Sequence, residues 1–584
     1  MYSVLEKINS PADVKKLNVT ELETLASDVR EALFNRLTKI GGHFGPNFGM
    51  VEAEIALHYV FNSPVDKFVF DVSHQSYTHK ILTGRKAGYI CDEHFKDDSG
   101  YTNPEESEHD FFNVGHTSTS VSLASGLAKA RDLAGRSENI IAVIGDGSLS
   151  GGEAFEGFDT VAELNTNMII VVNDNQQSIS ETHGGIYKNL KALRESNGKC
   201  ELNMFKAIGL DYVYEPNGND IASLINVFES VKDVDHPVVV HINTKKGKGY
   251  KLAEDNKEAW HWTVPFDRAT GKPTVSFAGK SYVSVAHDYI MKKAETDEKF
   301  VVVTPNMPMS MGLAPADRQK LGKQFVDVGI AEEQAVAMAS GLARGGAKPL
   351  VVTNVTFMQR TYDQLSHDLC INGNHAVFLL NYAAFDGLTD VTHLGIFGIP
   401  AFSNIPNLAV LCPTCENELV AMLDWALDVN DAPCMILLPG NDVKTREKAD
   451  EFVSPLNYET VLAGEKVAII ALGDFFDKGA ELASAIEKEL GFKPTLINPR
   501  TASSLDEKTL ASLVNGHKLV ITLEDGVKDG GLGQKVASYF GSTDVKVKNY
   551  GLNKVFYDRY NPAELLNELG ITTEKMLAEI KKIL

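Results

Sequence analysis

Two polar residues stand at the ends of apolar segments, in positions suited to holding a hard cation. Asp146 follows the run IIAVIG, and Asn175 lies just past MIIVV, 29 residues further along the chain. In a parallel sheet one crossover brings the carboxyl ends of two strands to the same edge, so a carboxylate and an amide oxygen can share one cation. Glycines around Asp146 and a helix expected from about Gly152 let phosphate groups approach the backbone. The spacing predicts a magnesium ion that clamps a diphosphate.

A competing interpretation of this stretch is a dinucleotide-binding loop, because GDGSLSG is close to that fingerprint. Its glycine spacing is off by one, and an aspartate that faces a pyrophosphate repels it unless a metal intervenes. We therefore prefer the metal site. Dinucleotide bound to the purified protein would instead indicate a nicotinamide dehydrogenase.

The elements that must position these residues are typical of an α/β fold. Short apolar runs alternate with amphipathic segments along the chain, as buried parallel strands do. A chain of 584 residues is too long for one core. Polar stretches at 245–280 and 440–465 break the rhythm and predict three α/β domains with mostly parallel sheets, at 1–275, 276–445 and 446–584.

Composition excludes several functions. A net charge of −22 disfavours binding to nucleic acid or to anionic membranes. The six cysteines are scattered, and the pair in CPTC has no second pair with which to bind zinc. The longest apolar runs are far shorter than a membrane helix requires. The N-terminal segment resembles neither a signal nor a transit peptide, so a cytoplasmic location is expected.

Several longer stretches resemble one enzyme family. They are GGHFGPNFGMVEAEIALHYVF, DVSHQSYTHKILTGR, VGHTSTSVSLASGLAKARDL, TKKGKGY, VGIAEEQAVAMASGLA, TFMQRTYDQLSHDLC and EDGVKDGGLGQKVASYF. Together they resemble the 1-deoxy-D-xylulose-5-phosphate synthases, transketolase relatives that use thiamine diphosphate, over essentially the whole chain. The resemblance implies a transketolase-like fold, a homodimer, a keto acid donor and an aldehyde acceptor, and a role in isoprenoid precursor biosynthesis. It also implies that Asp146, Asn175 and the carbonyl of Gln177 bind the magnesium ion.

Catalytic roles follow from the same resemblance. Glu332 matches the glutamate that activates the cofactor's aminopyrimidine, and Phe357 matches the aromatic residue that packs on that ring. His43, His74 and His393 match active-site histidines suited to proton transfer. Without the resemblance, Glu332 would be interpreted as an exposed helix carboxylate, Phe357 as a core residue and each histidine as structural.

The resemblance places further residues around the cofactor and the substrate. The implied cofactor contacts are His74, His116, Ser118, Thr119, Gly145, Asp146, Gly147, Ser148, Asn175, Lys245, Glu332, Phe357 and Arg360. His261 matches a histidine of a mobile loop near the substrate.

The chain departs from the family where the acceptor phosphate is held. The family uses arginines in two stretches of the middle domain, but here the first reads NYAAFDG, with Tyr382 in the arginine position, and the second, ILLPGND, has no arginine. A phosphate dianion favours bidentate, permanently charged donors. Three hypotheses remain: a true synthase with altered phosphate contacts, a related carboligase with a different acceptor, which the missing arginines favour, and a catalytically silent regulatory relative.

Overall fold

The computed structural model describes residues 2–276, 279–440, 442–446, 454 and 457–584. The chain forms two compact units, Met1–Phe277 with Gly329–Ala331, and Ala278–Val328 with Glu332–Leu584. No helix in the described part of the chain is both long and apolar enough to cross a membrane.

The first unit contains eleven α-helices and seven strands among its described residues. The helices are α1 Pro11–Val14, α2 Val19–Ile40, α3 Gly45–Val60, α4 Tyr77–Lys80, α5 Ala87–Ile90, α6 Ser120–Leu133, α7 Gly152–Leu164, α8 Gly185–Glu195, α9 Met204–Ala207, α10 Ile221–Val231 and α11 Lys251–Asp255. The strands are β1 Gly42–His43, β2 Lys67–Phe70, β3 Ile140–Gly145, β4 Met168–Asp174, β5 Asp211–Glu215, β6 Pro237–Asn243 and β7 Trp262–Thr263.

The central sheet of the first unit is parallel, with the strand order β2-β3-β4-β6-β5. Its strands read as continuous Ile and Val runs because both faces are covered. Along β3, Ile141 and Val143 pack into one apolar core, while Ile140 and Ile144 pack into another on the opposite face.

The register of this sheet explains why Asp146 and Asn175 meet. Gly145, the last residue of β3, lies opposite Asn173 near the end of β4. The turns that carry Asp146 and Asn175 therefore leave the sheet at the same edge, as the spacing in the sequence predicted.

The second unit contains eleven further helices and eleven strands among its described residues. The helices are α12 Tyr282–Thr296, α13 Pro315–Leu321, α14 Glu332–Arg344, α15 Val355–Met358, α16 Gly398–Phe402, α17 Glu416–Asp424, α18 Phe476–Leu490, α19 Glu507–Leu513, α20 Leu532–Phe540, α21 Pro562–Glu568 and α22 Thr573–Ile583. The strands are β8 Phe300–Thr304, β9 Phe325–Asp327, β10 Lys348–Asn354, β11 Val377–Asn381, β12 Ala409–Leu411, β13 Cys434–Leu437, β14 Glu459–Leu462, β15 Lys466–Ala471, β16 Thr495–Asn498, β17 His517–Val527 and β18 Lys546–Leu552.

These strands form two sheets. The first has the order β12-β13-β11-β10-β8-β9 and is parallel throughout. The second has the order β14-β16-β15-β17-β18, and only β14 runs antiparallel to its neighbour. Phe378 of the first sheet and Ile470 of the second belong to the same apolar core, so the two sheets pack together.

The predicted fold class, α/β with mostly parallel sheets, is confirmed. The predicted boundaries near 276 and 446 border residues 277–278 and 447–453, which lie outside the described residues. The division into three domains at those positions stays a prediction.

Candidate active site

Asp146 and Asn175 form a buried pair of oxygen ligands in the first unit. Asp146 is 1% exposed, and the backbone N–H of Asn175 donates a hydrogen bond to its carboxylate. Asp146 Oδ2 and Asn175 Oδ1 are both buried and have no hydrogen-bond partner among the described residues. Buried oxygens without a donor are costly, and a cation bound to both would satisfy them.

The charges behind this pair also favour a cation. Burial would raise the pKa of Asp174, but His241, whose Nε2 lies 2.9 Å from Asp174 Oδ2, and Arg194 lower it. The ionised Asp174 then adds to the effect of burial in raising the pKa of Asp146. Two buried carboxylates so close together are stabilised by a divalent ion.

The turn that carries Asn175 packs closely on the turn that carries Asp146. A Cβ on Gly147 would lie 2.6 Å from Ser178 Oγ, so only glycine fits there. Around Gly145 no atom lies within 4 Å of a Cβ position, which leaves open space beside the strand end. Gln177 forms an isolated bridge with Glu181 within the same turn, and its assignment as a metal ligand stays a prediction.

The turn that carries Ser118 and Ser120 is joined to the turn of Asp146 through Asp71. Nothing in the sequence indicated this role for Asp71. The buried Asp71 carboxylate accepts the N–H groups of Ser118 and Ser120, at 2.9 and 3.0 Å, and the hydroxyl of Ser148. Ser118 Oγ donates to Ser148 O at 2.8 Å.

This arrangement places most of the predicted diphosphate contacts on adjoining turns. Ser118 and Ser148 touch each other, and Thr119 is the residue before α6. His116 is half-buried in the same turn. Backbone N–H groups at such turns are suited to phosphate oxygens.

Three histidines lie together in the first unit. The ring centroids of His43 and His74 are 5.0 Å apart, and His261 lies 5.7 Å from His43 and 5.3 Å from His74. Burial, followed by the charge of Lys246, lowers the pKa of His74 to about 3, and the same causes hold the pKa of His261 well below its usual range. Both rings are therefore neutral near pH 7.

Asn47 holds two of these histidines in place. Its Nδ2 donates to His43 O at 2.7 Å and to His74 O at 2.8 Å, and its Oδ1 accepts the N–H of Tyr77 at 2.9 Å. All three polar contacts are made from one fully buried amide. The sequence offered no signal for this role beyond the position of Asn47 in a stretch that resembles the family.

Lys246, and not the predicted Lys245, lies beside the histidines. Lys245 is exposed, and its Nζ pairs with Glu254 at 2.6 Å. Lys246 is 2% exposed, its Nζ donates to Ser178 O, and the same atom lies 3.0 Å from His261 Nδ1. Burial lowers the pKa of Lys246 to about 7, against the opposing attraction of Asp146. The assignment of Lys245 to the cofactor stays a prediction, and the sequence does not show that its neighbour Lys246 turns inward.

In the second unit, Glu332 is the first residue of α14 and is 2% exposed. Burial raises its pKa to about 7, although Arg360, whose Nη1 lies 3.4 Å from Glu332 Oε2, acts in the opposite direction. Its neighbour Glu333 is only half-buried, and Gln334 is exposed. Glu332 is therefore a carboxyl group able to carry a proton at neutral pH, which is the property its predicted role requires.

Phe357 and His393 lie together in the same unit. Their ring centroids are 5.5 Å apart at an interplanar angle of 87°, an edge-to-face contact. His393 Nδ1 lies 2.8 Å from Thr392 Oγ1, and Thr392 donates through that hydroxyl to Asp390 Oδ1 at 2.6 Å. The predicted residues His43, His74 and His261 thus belong to the first unit, and Glu332, Phe357, Arg360 and His393 to the second.

The Tyr382 ring packs directly on Gly440, a residue of the second stretch that has no arginine. A Cβ on Gly440 would lie 2.3 Å from Tyr382 Cδ1, and Tyr382 itself has a φ of +56°. Asn441, the next residue of that stretch, lies outside the described residues. An aromatic ring here contributes apolar area and one hydroxyl group, with no permanent charge.

Comparison with known proteins gives the class. A family model described as 1-deoxy-D-xylulose-5-phosphate synthase matches residues 5–203 and 199–244. The pyrimidine-binding domain of transketolase matches residues 279–445, and the transketolase C-terminal domain matches residues 457–576. The fold and the three matches define a transketolase-like enzyme, and such enzymes depend on thiamine diphosphate.

Relatives along the whole chain give the family. A 1-deoxy-D-xylulose-5-phosphate synthase of Listeria monocytogenes is 37% identical over 100% of this chain and 98% of its own length. One from Desulforudis audaxviator is 36% identical over 98% of this chain and 96% of its own. A transketolase structure from Leishmania mexicana superposes with a TM-score of 0.46 at 15% identity, covering 96% of this chain and 97% of that one. The chain belongs to the 1-deoxy-D-xylulose-5-phosphate synthase family.

Proposed function

We propose that this enzyme joins pyruvate to glyceraldehyde 3-phosphate, forming 1-deoxy-D-xylulose 5-phosphate and carbon dioxide, with thiamine diphosphate held by Mg²⁺. The observation that carries the proposal is the pair of buried, unpartnered oxygens, Asp146 Oδ2 and Asn175 Oδ1. The site fits a magnesium diphosphate because hard oxygen ligands, a close glycine turn and the Lys246 ammonium are present together. Gln177 would add its carbonyl as a third ligand.

Bound thiamine diphosphate supplies the nucleophilic carbon and accepts the electron pair released by decarboxylation. The residue of the second unit that we assign to the cofactor's aminopyrimidine ring is Glu332. With its pKa raised to about 7 by burial, Glu332 keeps a proton on its carboxyl group at neutral pH and can donate it in a hydrogen bond to a ring nitrogen. Phe357 offers an aromatic face for the same ring.

The histidines of the first unit act as neutral hydrogen-bonding groups. His74 and His261 remain uncharged at pH 7, so each can donate one hydrogen bond and accept another. Lys246, next to His261, is the nearby group whose charge can balance a carboxylate or a developing oxyanion. His393 is positioned by Thr392 for the corresponding role in the second unit.

The alternative hypothesis, a related carboligase, differs from this proposal in the aldehyde acceptor. The sequence analysis favoured a different acceptor because the arginines are missing, and Tyr382 does fill the space over Gly440. The family model and the full-length relatives support the synthase activity and give no support to a different acceptor. They likewise give no support to a silent relative, and we propose glyceraldehyde 3-phosphate as the acceptor.

A coupled assay tests this proposal. The purified enzyme receives Mg²⁺, thiamine diphosphate and pyruvate together with either glyceraldehyde 3-phosphate or unphosphorylated glyceraldehyde, and release of carbon dioxide and product mass are followed. We expect the phosphorylated aldehyde to give a kcat/KM at least about tenfold higher, equivalent to about 1.4 kcal/mol. A preference for glyceraldehyde would establish the alternative, and no turnover with either would refute both.

Two further properties are proposed from the resemblance alone. We propose a homodimer, testable by light scattering coupled to size exclusion, where a monomeric mass would contradict it. We also propose that the second unit comprises two domains, 276–445 and 446–584, one for each of its sheets. Expression of 446–584 as a separately folded protein would support that division.

A further inference from the structure

Three aspartates of the second unit converge at one place, and one of them, Asp386, belongs to the loop that also carries His393. One carboxylate oxygen each from Asp386, Asp474 and Asp525 lies within 4.8 Å of the other two. Asp386 belongs to the loop after β11, Asp474 to a short 3-10 helix after β15, and Asp525 to β17. The cluster therefore joins the loop of one sheet to two strands of the other.

The Asp525 side chain points to a missing ligand. It is 6% exposed, its Oδ1 accepts the N–H of Phe385 at 2.9 Å, and its buried Oδ2 has no hydrogen-bond partner in the part of the chain that the structure describes. Asp525 and Asp474 also line one cavity of about 20 Å³, together with Ala383, Cys412 and Pro413. A volume of roughly 10–15 Å³ is enough for one water molecule, and the same space admits a cation.

The three carboxyl groups act on one another. Burial, the neighbouring carboxylate of Asp474 and then that of Asp386 hold the pKa of Asp525 well above its usual range, and Lys478 only partly opposes them. Carboxyl groups this close together favour the binding of added positive charge.

We propose that Asp386, Asp474 and Asp525 form a second binding site, for a hard divalent cation of the size of Ca²⁺. Ca²⁺ lies about 2.3–2.6 Å from its oxygen ligands, so it can bridge oxygens up to about 5 Å apart. The three oxygens lie within 4.8 Å of one another, so one Ca²⁺ can reach all of them.

The cation would fix the loop that carries Tyr382 and His393. This loop is already bound to the second sheet, since Phe385 N donates to Asp525, Val527 N donates to Ile396 O at 3.0 Å, and Arg559 N donates to Thr389 O at 2.7 Å. An ion bound by Asp386 as well would add a strong link between the loop and β15 and β17. Its expected role is positional, with no part in the chemistry.

Calorimetric titration with Ca²⁺ alone tests the site. The protein used is the full chain carrying Asp146→Asn and Asn175→Ala, which removes the first cation site. We expect one Ca²⁺ to bind per chain in this background, and a further Asp474→Asn to weaken that binding at least about tenfold. Asp477→Asn should leave the binding unchanged, because Asp477, three residues after Asp474, pairs with Lys444. Absence of binding at roughly 1 mM Ca²⁺, the weak end for protein sites, or equal binding by the Asp474→Asn protein overturns the proposal.

Thermal unfolding of the otherwise unaltered enzyme provides a second measurement, which does not depend on the background variant. With Mg²⁺ and thiamine diphosphate kept saturating, added Ca²⁺ should raise the melting temperature by about 2–4 °C. The rise should persist with Asp477→Asn and disappear with Asp474→Asn. If protons alone neutralise the three aspartates, Ca²⁺ leaves all these melting temperatures unchanged, and the site does not exist.

Discussion

The backbone N–H of Asn175 donates to the carboxylate of Asp146, although the two residues are 29 positions apart in the sequence. The contact exists because β3 and β4 are adjacent and parallel, so that their carboxyl ends coincide. Within the described part of the chain, Asp146 Oδ2 and Asn175 Oδ1 are left without a hydrogen-bond partner. Binding of the cofactor and stability of the metal-free protein should therefore both depend on this pair.

Replacing Asp146 by Asn should have opposite effects on binding and on stability. Affinity for thiamine diphosphate in the presence of Mg²⁺ should fall at least about 100-fold, because an anionic ligand is lost. Without metal, the melting temperature should rise, since a buried carboxyl next to the ionised Asp174 is removed. Calorimetry and thermal unfolding measure the two effects.

The matched control is Asp159→Asn, on the exposed side of α7. It should change neither quantity. Equal cofactor affinity in the Asp146→Asn protein and the unaltered protein would remove the metal site from the proposal.

Glu332→Gln should lower turnover by about 10²–10⁴-fold, the range for loss of a positioned acid or base, while cofactor remains bound. Glu333→Gln, at the half-buried neighbouring position, should keep nearly full activity. Single-turnover kinetics with pyruvate would show where the loss occurs. Similar activities for the two variants would contradict the assignment.

Glu332 also predicts a pH dependence of stability in the cofactor-free protein. Its pKa is raised from 4.5 to about 7 in the folded state, so the folded protein binds this proton more tightly than the unfolded chain. The contribution of protonated Glu332 to the free energy of unfolding is fully present below pH 4.5. As the pH rises to about 7 this contribution is lost, which lowers the free energy of unfolding by up to about 3 kcal/mol. Denaturant titrations should show this loss in the unaltered protein, and a Glu332→Gln protein that loses stability equally between pH 5 and 8 would refute it.

The two adjacent lysines should differ sharply. Lys246→Gln should reduce kcat/KM by about 10–100-fold, because the buried ammonium beside Ser178 and His261 is lost. Lys245→Gln removes only an exposed pair with Glu254, which contributes little. Steady-state kinetics on both variants provide the check. A larger loss of kcat/KM in the Lys245→Gln protein would support Lys245 as the lysine that contacts the cofactor.

The difference between these lysines shows what the sequence could and could not predict. The α/β class with mostly parallel sheets and the meeting of Asp146 with Asn175 were predictable, since apolar runs and crossover geometry determine them. The inward direction of Lys246 was not, because it depends on the turn between β6 and α11. Asn47 and Asp71 were missed for a similar reason: their value lies in hydrogen bonds to backbone groups far along the chain, at residues 74 and 118.

The contact between Tyr382 and Gly440 can be tested by a double-mutant cycle. Gly440→Ala should destabilise the protein by about 1–3 kcal/mol, because the added Cβ would lie 2.3 Å from Tyr382 Cδ1. In a Tyr382→Ala background the same change should cost much less, which gives a coupling free energy of at least about 1 kcal/mol. Gly373→Ala, at a surface turn with a φ of +58° and no atom within 4 Å, serves as a control in which backbone strain should be independent of Tyr382. Additive costs at 440 and 382 would mean that the Tyr382 ring yields easily to a side chain at position 440.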